Sequence, residues 1–278
     1  MESRMPLIVR LLIVLVLYLL QGVVLGLLDV VSIYLASFGA TWKQQGTLSF
    51  IMYPFSLKLL WAPLIDVYYI QRFGRHQTWL VPIQVLLGSI LIVLSFFFES
   101  LLVRLRITEL TVIFFFIVFL TATQDICVDG WGLTLFASSN VVWQAISQMI
   151  GQPLGGFIGS PIFLIFESAN MTNKYIRQPL GIIDQPFGLF TLGQFVRFWG
   201  VVYLIAVCVI SVLFRERQHA SSDDHPKQTK VHLKLFETYM YILRLFKKKC
   251  FREVTFIIVA SHIGFAASSS MTFLTLLR

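Results

Sequence analysis

Apolar residues run almost unbroken through seven stretches of this chain, near 7–28, 46–65, 78–98, 109–136, 141–166, 195–214 and 253–276. Each matches or exceeds the roughly 20 residues a helix needs to cross a bilayer. Inside lipid every backbone N–H and C=O has to be paired within the protein, so only helices and closed barrels can span. The runs are continuous and do not alternate, which selects helices. The fourth run is overlong and is expected to tilt or to protrude from the membrane. The first run follows Arg4 and Arg10, as a signal peptide would. It is too long for such a segment and no small-residue cleavage site follows, so it reads as the first span.

Composition supports this reading. Hydrophobic residues make up 57% of the chain, charged residues 13%, and the mean hydropathy is +0.79. A soluble fold needs more polar surface than that. The net charge of +8 sits in the connections between spans, where it orients the protein and does not point to nucleic acid. With the amino terminus in the cytosol, the larger set of Lys and Arg falls on the cytosolic side. That set includes Arg4, Arg10, Arg72, Arg75 and the basic run Lys247-Lys248-Lys249. The 215–252 segment is then cytosolic and the 167–194 loop lumenal. Ser221 to Pro226 reads as flexible coil, and Leu233 to Phe246 as a short amphipathic helix on the membrane surface. Cys127, Cys208 and Cys250 are dispersed and form neither a disulfide framework nor a zinc site. Asn170-Met171-Thr172 is a glycosylation sequon in the lumenal loop.

The expected fold is all-α and polytopic. Residues 1–214 form a six-helix bundle, 215–252 a basic cytosolic loop, and 253–278 a seventh span that opens a truncated second half. Six spans, a long cytosolic connection and further spans describe the major facilitator architecture, in which substrate binds between two six-helix halves.

Polar groups inside spans are costly, so each one asks for a reason. Lys58 lies in the second span, about 10 Å of helix before its cytosolic end. It either snorkels to the interface or lines a cavity. Asp125 and Asp129 in the fourth span are four residues apart and share one helix face. Two carboxylates there need a cation nearby, or one must take a proton. An ion pair is expected for Asp129, while ion pairing and proton coupling both stand for Asp125. Gln124 and Gln152 join Lys58 and Asp125 as candidates for the substrate path. The loop after the second span carries Asp66, Arg72, Gly74 and Arg75, similar to a major facilitator loop motif but with extra residues after the Asp. Arg75, or else Arg72, is expected to bond Asp129 in a cytosolic gate. Gly151, Gly155 and Gly159 form a stripe of period four in the fifth span, and Gly22 and Gly26 a similar pair in the first. Both read as surfaces for close helix packing. Nucleotide-binding glycine loops, zinc-protease motifs and nucleophile elbows are absent, so neither an enzyme, a metal nor a cofactor is expected.

These residues resemble the eukaryotic acetyl-coenzyme A transporter family. The resemblance is carried by Tyr18-Leu19-Leu20-Gln21-Gly22, by Pro54 to Asp66, by Trp79-Leu80-Val81-Pro82, by Ala122 to Trp131, and by Ile263 to Ala267. It implies a multi-pass major facilitator carrier in the endoplasmic reticulum membrane that moves cytosolic acetyl-CoA into the lumen. Its partners would be acetyl-CoA, the lipid bilayer and either a second copy or a full-length relative. Bacterial muropeptide permeases are similar in the Lys58 and Asp125 blocks. A membrane protein that regulates a full-length relative without transporting is the other alternative. The rest of the family's carboxy-terminal six-helix half, beyond the seventh span, is expected to be missing, and Thr272 to Arg278 departs from its pattern.

Overall fold

The computed structural model describes residues 6–69, 75–137, 140–219, 239–240 and 244–261, and their side chains except at 75, 76 and 213–219. These residues are helical apart from short connections and the non-helical stretch 178–191, with no strand among them. The chain divides into two compact units, Met1–Gln228 and Thr229–Arg278.

The first unit begins with α1 (Leu7–Ser37), which follows Pro6. Phe38 closes the helix onto Tyr34, and Gly39 adopts φ +84 just beyond it, a conformation that favours glycine. Thr41 then caps α2 (Trp42–Leu48) reciprocally with Gln44. The second span is not one helix. It continues as a 3₁₀ turn (Ser49–Met52), α3 (Tyr53–Leu57), a second 3₁₀ turn (Lys58–Leu60) and α4 (Ala62–Val67). Pro54 and Pro63 cause the breaks. Each lacks a backbone N–H and clashes with the preceding turn, so the chain restarts a helix at each proline. The uniform span expected over 46–65 is therefore discontinuous.

α5 (Arg75–Leu94) and the short α6 (Phe98–Val103) follow. α7 (Ile107–Phe136) has 30 residues, about 45 Å of helix, which is longer than the hydrocarbon core. The fifth span is α8 (Val142–Phe157), a π-helical stretch (Ile158–Ile162) that holds Pro161, and α9 (Phe163–Glu167). The loop after it contains α10 (Ala169–Thr172), and α11 (Leu192–His219) completes the unit. Among the described residues five helices are long and apolar enough to cross a membrane: Leu7–Ser37, Gln77–Leu94, Ile107–Phe136, Val142–Glu167 and Leu192–Val212. Large apolar side chains such as Leu12, Phe116, Phe198 and Ile205 face outward from them, as lipid contact requires. The protein is thus a polytopic membrane protein.

α1 is central. It packs most extensively on α8, running parallel to it, and also on α7. The glycines make the α1–α8 approach possible. A Cβ on Gly155 would lie 2.1 Å from the Leu19 carbonyl oxygen, and one on Gly22 would lie 2.0 Å from that of Gln152. Gly26, Gly151 and Gly159 meet backbone at 2.5–2.8 Å in the same test. The stripe of the fifth span and the pair of the first therefore interleave. A second close crossing joins α5 and α11, where Gly88 and Gly200 face each other.

The 167–194 loop is built around Arg177, which is 6% exposed. Its guanidinium donates to Asn173 Oδ1 at 2.6 Å, the Phe187 carbonyl at 2.6 Å and the Gly188 carbonyl at 2.9 Å. Arg177→Ala would strand those carbonyls, and hydrogen bonds to a charged donor are worth about 1.5–3 kcal/mol each. Limited proteolysis should then cut within 178–188 where the wild type resists. Asn170 of the sequon is exposed, but Thr172 is buried and its hydroxyl donates to the Phe166 carbonyl at 3.1 Å.

In the second unit, residues 244–247 and 249–261 are helical, with Lys249 and Glu253 paired at 3.8 Å one turn apart. The surface helix expected over Leu233 to Phe246 falls mostly outside the described residues, as does the seventh span beyond 261.

Candidate functional site

The polar groups of the spans converge between α1, the broken second span, α7 and α8. Tyr18 and Gln21 lie three residues apart on α1, and Asp125 and Asp129 lie four apart on α7. Such spacings put each pair on one helix face. The two helices are antiparallel, so Tyr18 meets Asp129 and Gln21 meets Asp125. The Tyr18 hydroxyl donates to Asp129 Oδ1 at 2.5 Å, and Gln21 Nε2 donates to Asp125 Oδ1 at 2.8 Å. Gln144 of α8 adds its amide to Asp129 at 3.1 Å and to the Tyr18 oxygen at 3.0 Å.

Lys58 reaches Asp125 from the break in the second span. Its ammonium pairs with Asp125 Oδ2 and lies 5.8 Å from the Phe55 ring centroid. The local chain explains this placement. Pro63 interrupts the regular helix, the backbone tightens to a 3₁₀ turn at Lys58–Leu60, and the side chain turns into the bundle. Trp61, next to the break, donates to Thr123 Oγ1 at 3.2 Å and packs on Phe119 at 4.9 Å. The lysine side chain is 36% exposed and that of Asp125 is 2% exposed. A carboxylate so buried needs a cation and hydrogen bonds together, and it has both.

The other expected residues fall out as follows. Gln124 is fully buried and faces α1, where its amide donates to the Leu17 carbonyl at 3.3 Å. Gln152 lines a cavity of about 420 Å³ between α1, the start of the second span and α8. Asp29, Ser32, Gln45 and Ser49 supply the rest of its polar lining. Asp66 is exposed at the end of α4. Arg72 and the side chain of Arg75 lie outside the described residues, so the gate pair expected with Asp129 does too. The partners that the described residues give Asp129 are the neutral Tyr18 and Gln144. Among the described residues no group of three metal-ligating side chains is close enough to hold an ion.

Sequence reasoning singled out neither Tyr18, Gln144, Asp29 nor Arg10 as site residues. Arg10 is buried, and its guanidinium donates to the Leu135 carbonyl at 2.7 Å, at the carboxy-terminal end of α7. A cation there satisfies a carbonyl that lacks an intrahelical partner and offsets the helix dipole. The available signal was simple: each of the four is a polar side chain within or beside a run otherwise apolar.

Comparison with known proteins adds an independent line. A family model described as acetyl-coenzyme A transporter 1 matches residues 10–278. An uncharacterized protein of Schizosaccharomyces pombe is 32% identical over 263 residues, covering 93% of this chain and 47% of its own length. An uncharacterized membrane protein of Saccharomyces cerevisiae is 28% identical over 304 residues, covering 94% of this chain and 54% of its own. The anhydromuropeptide permease of Escherichia coli is 29% identical over 122 residues, 44% of this chain and 24% of the permease. The chain thus spans about half the length of the curated yeast relatives it matches. No solved structure matches it.

Proposed function

The chain belongs to the acetyl-coenzyme A transporter family, a family of membrane transporters, and we propose that it supplies the amino-terminal half of a carrier that moves acetyl-CoA from the cytosol into the endoplasmic reticulum lumen. Lys58 is the group that meets the anion. Acetyl-CoA is multiply charged, and a path through lipid for such a solute needs cationic or amide partners to replace its hydration. The observation that carries the reading is the Lys58–Asp125 pair: an ammonium partly open to solute, held inside the bundle by a carboxylate that is closed to it. Gln152 and the cavity beside it offer amide and hydroxyl partners on the same path. Asp66, Arg72, Arg75 and Asp129 form the gate at the cytosolic end.

Vesicles of endoplasmic reticulum membrane from cells that make the full-length protein should accumulate labelled acetyl-CoA faster than vesicles that lack it. Excess unlabelled coenzyme A should compete, and anhydromuropeptide should not. Competition by the muropeptide alone would replace this reading with a permease of the bacterial kind. Equal uptake in both sets of vesicles would leave the regulator reading in its place.

A further inference from the structure

The cavity beside Gln152 holds a carboxylate with no partner among the described residues. Its volume of about 420 Å³ falls in the range of small-molecule sites. Among the described residues that line it, Asp29 is the only charged one. The Asp29 side chain is exposed, and no described residue bonds or pairs with it. A carboxylate accepts hydrogen bonds and donates none, so it selects N–H and O–H groups and repels anions. Ser49 and Gln152 add a hydroxyl and an amide, while Leu25 and Met52 supply apolar wall.

The cavity starts where the Lys58–Asp125 pair ends. Gln21 bonds Asp125, and Gly22, the next residue of α1, already belongs to the lining. Leu25, Leu28 and Ser32 follow Gln21 at i+4, i+7 and i+11, so they continue its face of the helix. Asp29 stands eight residues beyond Gln21, roughly 12 Å along the axis. On the second span, Met52 lines the cavity six residues before Lys58. A solute held by one end at Lys58 therefore has room for its other end in the cavity. We propose that the cavity receives the acyl-pantetheine arm of the thioester, and that Asp29 bars the phosphate-bearing end from it. The inference rests on the reading of Lys58 as the anion-holding group.

The two ends of a coenzyme A thioester differ in charge. The adenosine end carries a phosphate on its ribose. The pantetheine arm is uncharged, and it bears two amide N–H groups, a hydroxyl and a pair of methyl groups. A phosphate set against Asp29 would meet a like charge, with no cation among the described lining residues to offset it. The arm instead meets an acceptor for its N–H and O–H groups and apolar wall for its methyls. Its length fits as well. From phosphate to sulfur it has about as many bonds as four extended residues, roughly 14 Å. The distance along α1 from Gln21 to Asp29 is roughly 12 Å. The acyl group then lies toward the Ser37 end of α1, away from the Lys58–Asp125 pair.

The test uses purified full-length protein in nanodiscs, with binding followed by calorimetry. The probes are coenzyme A and adenosine bisphosphate, which keeps the phosphates on the ribose and lacks the arm. The wild type should bind coenzyme A about tenfold more tightly. Ser49→Phe fills the cavity and Asp29→Asn removes its charge, and each should cut that preference about tenfold. Equal binding of the two probes by the wild type overturns the placement of the arm, and this result needs no variant. A preference unchanged in either variant overturns it too, as does a loss that falls equally on both probes. The Lys58→Met, Asp125→Asn double variant tests the anion reading separately. It should weaken both probes by the same factor, and wild-type affinity for both would overturn the reading on which the placement rests.

Discussion

Gly155→Val is expected to prevent assembly of the bundle, while Gly156→Ala, one residue on, should be tolerated. At 155 the first added carbon would stand 2.1 Å from the Leu19 carbonyl oxygen and 2.9 Å from the Gly22 Cα. Both obstacles are backbone of α1, which cannot turn aside as a side chain could. Helices α1 and α8 would have to part, and the parting would undo contacts along the whole glycine seam. Overpacking of this kind costs about 1–3 kcal/mol where neighbours can shift, and more where they cannot. At 156 the nearest atom to an added carbon is 3.8 Å away, an ordinary contact. Gly46→Ala is a matched control, since nothing lies within 4 Å of that position in α2. Size-exclusion chromatography of detergent extracts reads the result. Gly155→Val should elute as aggregate or fail to accumulate, and both alanine variants should elute as the wild type does.

The second large effect concerns charge. Lys58→Met should destabilise the protein by about 3–5 kcal/mol, because it leaves the Asp125 carboxylate buried and unpaired. Asp125→Asn should cost less, since Lys58 is open enough for its ammonium to find water. The double variant Lys58→Met, Asp125→Asn should recover most of the loss, as replacing both members of a buried pair is often close to neutral. Thermal unfolding of the three variants in one detergent gives the coupling directly. Additive losses would mean that the two side chains do not act as a pair.

Much of the architecture was legible along the chain because lipid imposes one rule, a continuous apolar run of sufficient length. That rule located α1, α5, α7, the fifth span and α11. It failed at the second span, since hydropathy does not register helical continuity. Pro54 and Pro63 carry that signal, but the apolar run over 46–65 is unbroken and by hydropathy reads as one helix. The apolar run of the first span ends at 28, but α1 continues to Ser37 and brings Asp29 inside it. The glycine stripe could be read from its period of four. Its interleaving with Gly22 and Gly26 could not, because periodicity gives the face of a helix but not the helix it meets. The Lys58–Asp125 pair shows the same limit. Each residue was singled out as a costly polar group, yet 67 positions separate them and only the packed bundle makes them partners. Tyr18 and Gln144 are less conspicuous in the sequence, because a phenol and an amide cost less in a span than a charge does.

The central claim is that Lys58 holds the anion during transport. Its most direct test is uptake of labelled acetyl-CoA by proteoliposomes that contain the full-length wild type, Asp125→Asn or the Lys58→Met, Asp125→Asn double variant, the last expected to keep the bundle folded while removing the ammonium. Uptake by the double variant should fall to the level of empty liposomes, while its elution profile and unfolding temperature stay close to those of the wild type. Uptake at the wild-type rate by the double variant would contradict the account and return Lys58 to a purely structural role.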